Sequence, residues 1–447
     1  MMSGTPLNLL RQTTCPHCWA TFAPEEILWI SAHTDLLGDP RLGADHQQRF
    51  LPTRFNLEGK ALDARGFVCQ AHACPKCHLS LPRAMLETEP TFVSILGTPA
   101  CGKSCFLTAL VWELRRLLPL HFALSFVDAD TISNRSLNEY EESLFLNPHA
   151  DDLVPLANLI RKTEIGGNDL YDTVTYGNQQ VSYPRPFLFT LQPQEHHPNY
   201  AAAPSVASVL CLYDNAGEHF RAGEDSTSTP VTRHLTQARL LLFLFDPTQD
   251  FRFRQLCRKP DGLSPGRNGS RSSRQEAVLV EATDRVRRAL GLPQNVKHKR
   301  PLIVIVTKYD AWDHLLENRI RQEPWVETGR LAGVDTDLVE RRSSELRALL
   351  LRVCPEIVRR AEDFSQQVVY VPVSALGQSP VPDPRSRALV IRPRDIQPVW
   401  ATVPLLYGMC RWMPGLIPSL ARPPAPVQAS KSTSTPSGKT LTNWFAT

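Results

Sequence analysis

No stretch of these 447 residues is apolar for long enough to span a bilayer as a helix. The strongest apolar runs, near Leu240 to Phe245 and Leu302 to Val306, are strand-sized and far short of the roughly 20 residues a span requires. An excess of either charge is also missing: 49 Lys and Arg stand against 45 Asp and Glu, a net +4. That balance argues against an extended nucleic-acid duplex as the main partner. The opening residues do not combine a basic start, an apolar run and a small-residue cleavage site, so no secretion signal is expected. Nor are the eleven cysteines spaced like an extracellular disulfide framework. Four of them form two C-x-x-C pairs, which points to metal ligation and to a reducing compartment, the cytoplasm.

Length and proline are plentiful. The chain can hold two or three domains with at least one large core, and 38 prolines predict irregular insertions beside it. The organising stretch is Val93 to Ser104, an apolar strand leading into a loop and then a helix. Gly97, Gly102, Lys103 and Ser104 fit G-x-x-x-x-G-K-[ST]. Glycines let successive backbone N–H groups point at phosphate oxygens, Lys103 reaches the β and γ phosphates, and the Ser104 hydroxyl can ligate Mg²⁺. Apolar residues at helical spacing follow, from Phe106 to Leu117.

Cys15-Pro-His-Cys18 and Cys74-Pro-Lys-Cys77 are matched turns able to place four thiolates around one Zn²⁺. Cys69, His72 and His78 lie near the second pair, either as replacement ligands or within the module's core. Four sulfurs leave no open coordination position, so the expected role is structural or partner-docking.

Further strands are predicted over His121 to Val127, Pro186 to Leu191, Ser205 to Tyr213, Arg239 to Phe245, Pro301 to Val306 and Gln367 to Val373, with helical stretches over 138–163 and 337–363. The strand ending at Tyr213 runs into Asp214-Asn-Ala-Gly217, where an aspartate can make a Mg²⁺ contact and Gly217 can offer its N–H to a γ-phosphate. The strand ending at Val306 runs into Thr307-Lys308-Tyr309-Asp310. A carboxylate there accepts from the N1–H and N2–H₂ edge of guanine, whereas adenine has no matching donor pair. Ser374-Ala375-Leu376 follows the last strand and can present the Ala375 N–H to the guanine O6. The charges of 258–274 read as a solvated loop.

With these four motifs in chain order, residues 93 to about 420 resemble the Ras-like GTPase superfamily. The resemblance implies an α/β fold, the P-loop NTPase three-layer sandwich of Ras-like type, preceded here by a small zinc-binding module. It implies Mg²⁺-dependent binding of GTP and GDP, with hydrolysis to GDP and phosphate. Nucleotide contacts carried over residue by residue are Gly97, Ala100, Cys101, Gly102, Lys103, Ser104, Cys105, Asp214, Gly217, Thr307, Lys308, Asp310, Ser374, Ala375 and Leu376. Lys103, Ser104, Gly217 and Glu218 are the implied catalytic set, Glu218 standing where many relatives hold a water-orienting glutamine. Mg²⁺ would be held by Ser104, Asp214 and a switch threonine, Thr163 first, with Thr173 and Thr175 as substitutes. A narrower likeness is to the bacterial double-GTPase group, Ras-like domains often preceded by a cysteine pair and similar to components of signalling or conflict systems. It implies protein partners, a regulator or effector or a second GTPase. A non-hydrolysing scaffold recruiting partners through the zinc module is the competing reading.

The expected organisation is a zinc module over 1–88 with an inserted loop, a GTPase domain over 89–384, a C-terminal appendage over 385–421 packed on that core or docked on a membrane surface or partner, and a disordered tail over 422–447.

Overall fold

The computed structural model describes residues 9–159, 171–214, 231–258, 275–329, 331–383, 385–386 and 388–420. Thr163, Gly217, Glu218, the arginine-rich stretch beyond Arg258 and the tail 422–447 lie outside the described residues.

The apolar runs assemble into one seven-stranded sheet: β1 (Glu89–Gly97), β2 (Leu124–Asp128), β3 (Phe187–Pro193), β4 (Ser208–Asp214), β5 (Leu240–Phe245), β6 (Leu302–Val306) and β7 (Val368–Pro372). Across the sheet they lie in the order β2-β3-β4-β1-β5-β6-β7. From β4 to β7 the neighbours run parallel, and β2 and β3 are added antiparallel at one side. Parallel strands are covered on both faces, and β4, β5 and β6 are accordingly buried at every residue.

The flanking helices are α1 (Lys103–Phe122), α2 (Arg135–Phe145), α3 (Gln275–Leu290), α4 (Thr336–Val353), α5 (Pro355–Phe364) and α6 (Val403–Trp412). Side chains alternate across a strand, so Val93, Ile95, Leu242 and Leu244 pack with α1 and α6 on one face. Leu241, Phe243, Phe245 and Val304 pack with α3, α4 and α5 on the other. That second face passes to the N-terminal residues over β1, β3 and β4, where Trp19, Phe22 and Leu81 join Phe92, Leu188, Val209 and Tyr213. The module therefore forms part of the layer that seals the sheet.

Several expected boundaries move. The helix expected over 138–163 is α2, which stops at Phe145; a two-residue strand, Val154–Pro155, and a four-residue helix, Leu156–Leu159, follow. Pro148 disfavours helical backbone at Asn147 and supplies no N–H. The helix expected over 337–363 divides at Cys354, and Pro355 starts α5 at a first-turn position that tolerates its missing N–H. α1 runs on to Phe122, because Leu118 and Phe122 extend its buried stripe, and β2 begins only at Leu124. Residues Ala203–Val206 form a helical turn, so β4 starts at Ser208. α6 is itself core, with Val403, Leu405, Leu406 and Met409 at most 1% exposed. Among the described residues no helix is long and apolar enough to cross a membrane.

Candidate nucleotide and metal sites

Parallel register gathers the predicted motifs on one edge of the sheet. Asp214 pairs beside Ile95, Leu244 beside Gly97, Phe245 beside Val306, and Val306 beside Pro372. The loops after Gly97, Asp214, Phe245, Val306 and Pro372 thus leave the same carboxyl edge, where ligands bind open α/β sheets.

Gly97 is required by space. A Cβ there would lie 2.7 Å from Cys101 Sγ and 2.9 Å from the Leu244 carbonyl oxygen. Gly102, at φ 95°, turns the loop into α1. Lys103 is buried, and its Nζ donates to the carbonyls of Gly97 at 3.0 Å and Thr98 at 2.9 Å, which holds the cation over the loop. Asp214 faces the same cation and lies beside the Ser104 hydroxyl. Burial pushes its carboxyl up to about 6 against the pull of Lys103 and Ser104. Its Oδ1 is buried without a hydrogen-bond partner among the described residues. A desolvated carboxylate oxygen beside a hydroxyl suits a hard divalent cation such as Mg²⁺. Burial also raises the thiols of Cys101 and of Cys105, the latter to about 11, so both side chains are neutral.

Thr307 Oγ1 donates to the carbonyls of Cys101 at 3.2 Å and Phe245 at 3.3 Å, tying the third motif to the Gly97–Ser104 loop. Lys308, in left-handed backbone at φ 54°, pairs with Asp246 at 3.1 Å and donates to Thr248 Oγ1 at 3.3 Å. Asp246 accepts from the Thr248 N–H and hydroxyl and from Gln249 Nε2, which also donates to the Pro99 carbonyl. Sequence reasoning missed this Asp246, Thr248 and Gln249 brace. Its signal was an acid closing the most continuously apolar strand.

Both Asp310 oxygens are held, by Ser374 Oγ at 2.5 Å and Ser379 Oγ at 2.7 Å. Ser379 was not foreseen. Ser374 Oγ accepts in turn from the Gly377 N–H at 2.9 Å. Leu376 sends its side chain into a satellite core with Leu144 and Ile396, and its carbonyl accepts from the Gln397 N–H at 3.1 Å. Gly377 has φ 76°, and a Cβ would meet the Gln397 carbonyl oxygen at 2.0 Å. Gly377→Ala should therefore cost about 2–4 kcal/mol through combined strain and clash, readable as a lower denaturation midpoint. Thr173 and Thr175 are built into a hairpin, Tyr171–Tyr176 with Gln179–Pro184, where Thr175 N–H donates to the Arg41 carbonyl.

The four cysteines of the two turns converge with all sulfurs within 4.8 Å of one another. Cys15 and Cys77 sulfurs are 3.8 Å apart and Cys18 and Cys74 sulfurs 3.7 Å. A tetrahedral Zn²⁺ with bonds of about 2.3 Å spaces its sulfurs about 3.8 Å apart. The turns are built alike. Trp19 and His78 take positive φ and donate to the carbonyls of Cys15 and Cys74, while the His17 and Lys76 N–H groups donate to the sulfurs of those cysteines. Burial drives the Cys15 and Cys77 thiols up, so four thiolates coexist there only around a cation. The other candidates have separate partners. His78 pairs with Asp39 at 2.8 Å, His72 packs on Trp29, and Cys69 Sγ donates to the Phe67 carbonyl.

No protein-family model matches the chain. A curated protein of Mycolicibacterium smegmatis (strain ATCC 700084 / mc(2)155), named "Putative ESX-1 scaffolding and assembly protein SaeC", is 25% identical over 254 residues, which cover 52% of this chain and 57% of that protein. The chain thus spans a little over half the length of that relative. Among solved structures, the GTP-bound GTPase-like domain of S. cerevisiae Ski7 aligns over 65% of this chain and 44% of that one, at 13% identity and a TM-score of 0.27.

Proposed function

We propose that this chain is a guanine-nucleotide-binding switch protein of Ras-like type that binds GTP and GDP with Mg²⁺ and hydrolyses GTP. The observation that carries the reading is the meeting of Lys103, Ser104 and Asp214 with the Asp310–Ser374 pair along one carboxyl edge. In this reading the loop amides from Gly97 to Ser104 and the Lys103 ammonium bind the β and γ phosphates. Ser104 and Asp214 hold Mg²⁺, which would neutralise charge on the phosphate oxygens, and Thr163 is the candidate third ligand. Gly217 and Glu218 are assigned to the γ-phosphate and the attacking water. The water oxygen bonds to the γ phosphorus, the bond to the bridging oxygen breaks, a water proton passes to a phosphate oxygen, and GDP and inorganic phosphate leave. Lys308 lies against the purine face, and Asp310 selects guanine by its two adjacent donors.

The test is equilibrium binding of a fluorescent GTP analogue in Mg²⁺. GDP displaces it and ATP does not; displacement by ATP at equal concentration would refute base selection. Lys103→Ala removes a charged donor and should weaken binding about 100-fold; unchanged affinity would remove Lys103 from the site.

A second reading, a nucleotide-binding scaffold that does not turn over, is favoured by the scaffolding and assembly role in the relative's name. Protein partners, a second GTPase among them as in the double-GTPase group, belong to both readings. Clear multiple turnover of GTP excludes the second one.

A further inference from the structure

The first cysteine turn does more than ligate. Tyr213, fully buried and next in sequence to Asp214, donates its hydroxyl to the Pro16 carbonyl at 2.5 Å, between Cys15 and Cys18. The same oxygen accepts from Trp19 Nε1 at 3.2 Å, one residue beyond Cys18. On its other side the Tyr213 ring stacks on His234, with centroids 5.0 Å apart and planes 15° apart. His234 Nδ1 is hydrogen-bonded to Ser94 Oγ at 2.6 Å, and both residues are fully buried. Ser94 lies on β1, the strand that ends at Gly97. Trp19 also meets the rings of His234 and Tyr183. A hydroxyl at Ser94 and an imidazole at His234 are out of place in so apolar a layer unless they are paired, and here they are paired with each other.

The chain of contacts therefore runs from the metal-ligating turn, through Tyr213 and His234, to the two strands that carry Asp214 and the phosphate loop. We propose that Tyr213 and His234 are positioning residues through which the four-cysteine centre fixes Asp214 and β1. The metal centre then acts on Mg²⁺-dependent nucleotide binding without touching nucleotide. This rests on the nucleotide-binding reading above. Because coupling between two sites is reciprocal, Mg²⁺ with GTP must tighten metal retention by the factor by which the metal centre tightens Mg²⁺ with GTP.

Tyr213→Phe keeps the ring and removes both hydrogen bonds of the oxygen; Ser94→Ala removes the far end of the chain at almost constant volume. Both proteins are compared, zinc-loaded and full-length, with the wild type. Each is expected to retain one Zn²⁺, as Phe and Ala leave all four sulfurs in place. In the variants, amide exchange across 208–214 and 231–237 should accelerate by about tenfold while β6 stays protected. GTP affinity in Mg²⁺ should fall about five- to twentyfold and affinity in Mg²⁺-free buffer without chelator, which leaves Zn²⁺ in place, stay within about twofold, a split that loss of general packing would not produce. Mg²⁺ with GTP should slow zinc loss to a chelator in the wild type, and less so in Tyr213→Phe. Exchange in both variants equal to the wild type overturns the proposal. Equal loss of affinity with and without Mg²⁺ overturns it too, by making the residues structural only. If the wild type binds no guanine nucleotide, the functional reading fails by itself, and the exchange comparison still decides whether the metal centre holds β4.

Discussion

Asp310→Asn should lower GTP affinity by about 100- to 1,000-fold and turn the site toward xanthine nucleotides. Guanine presents two donors, N1–H and N2–H₂, and a carboxylate answers both as an acceptor. An asparagine amide offers one acceptor and one donor, so its NH₂ meets the guanine amino group donor to donor. Xanthine carries a carbonyl at that position, which accepts from the same NH₂. The surroundings favour a defined amide orientation. Ser374 Oγ already accepts from the Gly377 N–H and gives its proton to residue 310, so it holds an acceptor there. Ser379 can reverse and accept. The amide oxygen therefore belongs toward Ser374 and the nitrogen toward Ser379. Competition of GTP and xanthosine triphosphate against a fluorescent analogue reads the outcome. Unchanged GTP preference would remove Asp310 from base recognition and with it the argument for guanine.

Cys74→Ser should abolish Zn²⁺ binding by the four-cysteine cluster and lower the thermal midpoint by roughly 10 °C or more. Structural zinc sites bind with free energies that are folding free energies. A loss of about 10 kcal/mol, the low end for structural zinc, moves the midpoint of a chain of this size by that much. The effect should not stay local. The cysteines share a core with Val209, Cys211 and Tyr213 of β4 and Phe92 of β1, so a loosened module uncovers one face of the central sheet. Metal content by elemental analysis and unfolding by calorimetry check it. A variant that melts like the wild type and still carries one Zn²⁺ would show that three sulfurs suffice and that Cys74 is dispensable. Cys69→Ser is the matched control, since that thiol sits outside the cluster and bonds the Phe67 carbonyl.

Much of the architecture was legible because the signals are local. Apolar runs at Leu240–Phe245 and Leu302–Val306 have the length and continuity of strands buried on both faces, and they are β5 and β6. The two Cys-Pro-x-Cys turns carry their own geometry, since spacing within each pair dictates how two sulfurs point together. Pairing of the two turns with each other, across an insertion holding Asp39 and Asp63, was also legible, as only those four cysteines come in matched pairs. Helix ends were less legible. Pro148 and Pro355 are visible in the text, but whether a proline ends a helix or starts the next depends on which apolar stripe finds a partner.

By itself, then, the sequence determined the strands, the Gly97–Ser104 turn and the two cysteine turns, because each rests on steric and bonding preferences acting over a few residues. Only the tertiary structure decided that Asp246 braces Lys308 and Gln249 the loop at Pro99, that Ser379 holds Asp310, and that α6 is core. It also decided that the first cysteine turn meets Tyr213, the residue before Asp214. Each of these joins residues tens to hundreds of positions apart, with the exception of the Asp246 turn. Such contacts are set by sheet order and by which face each strand turns to which layer, and no local preference along the chain encodes either.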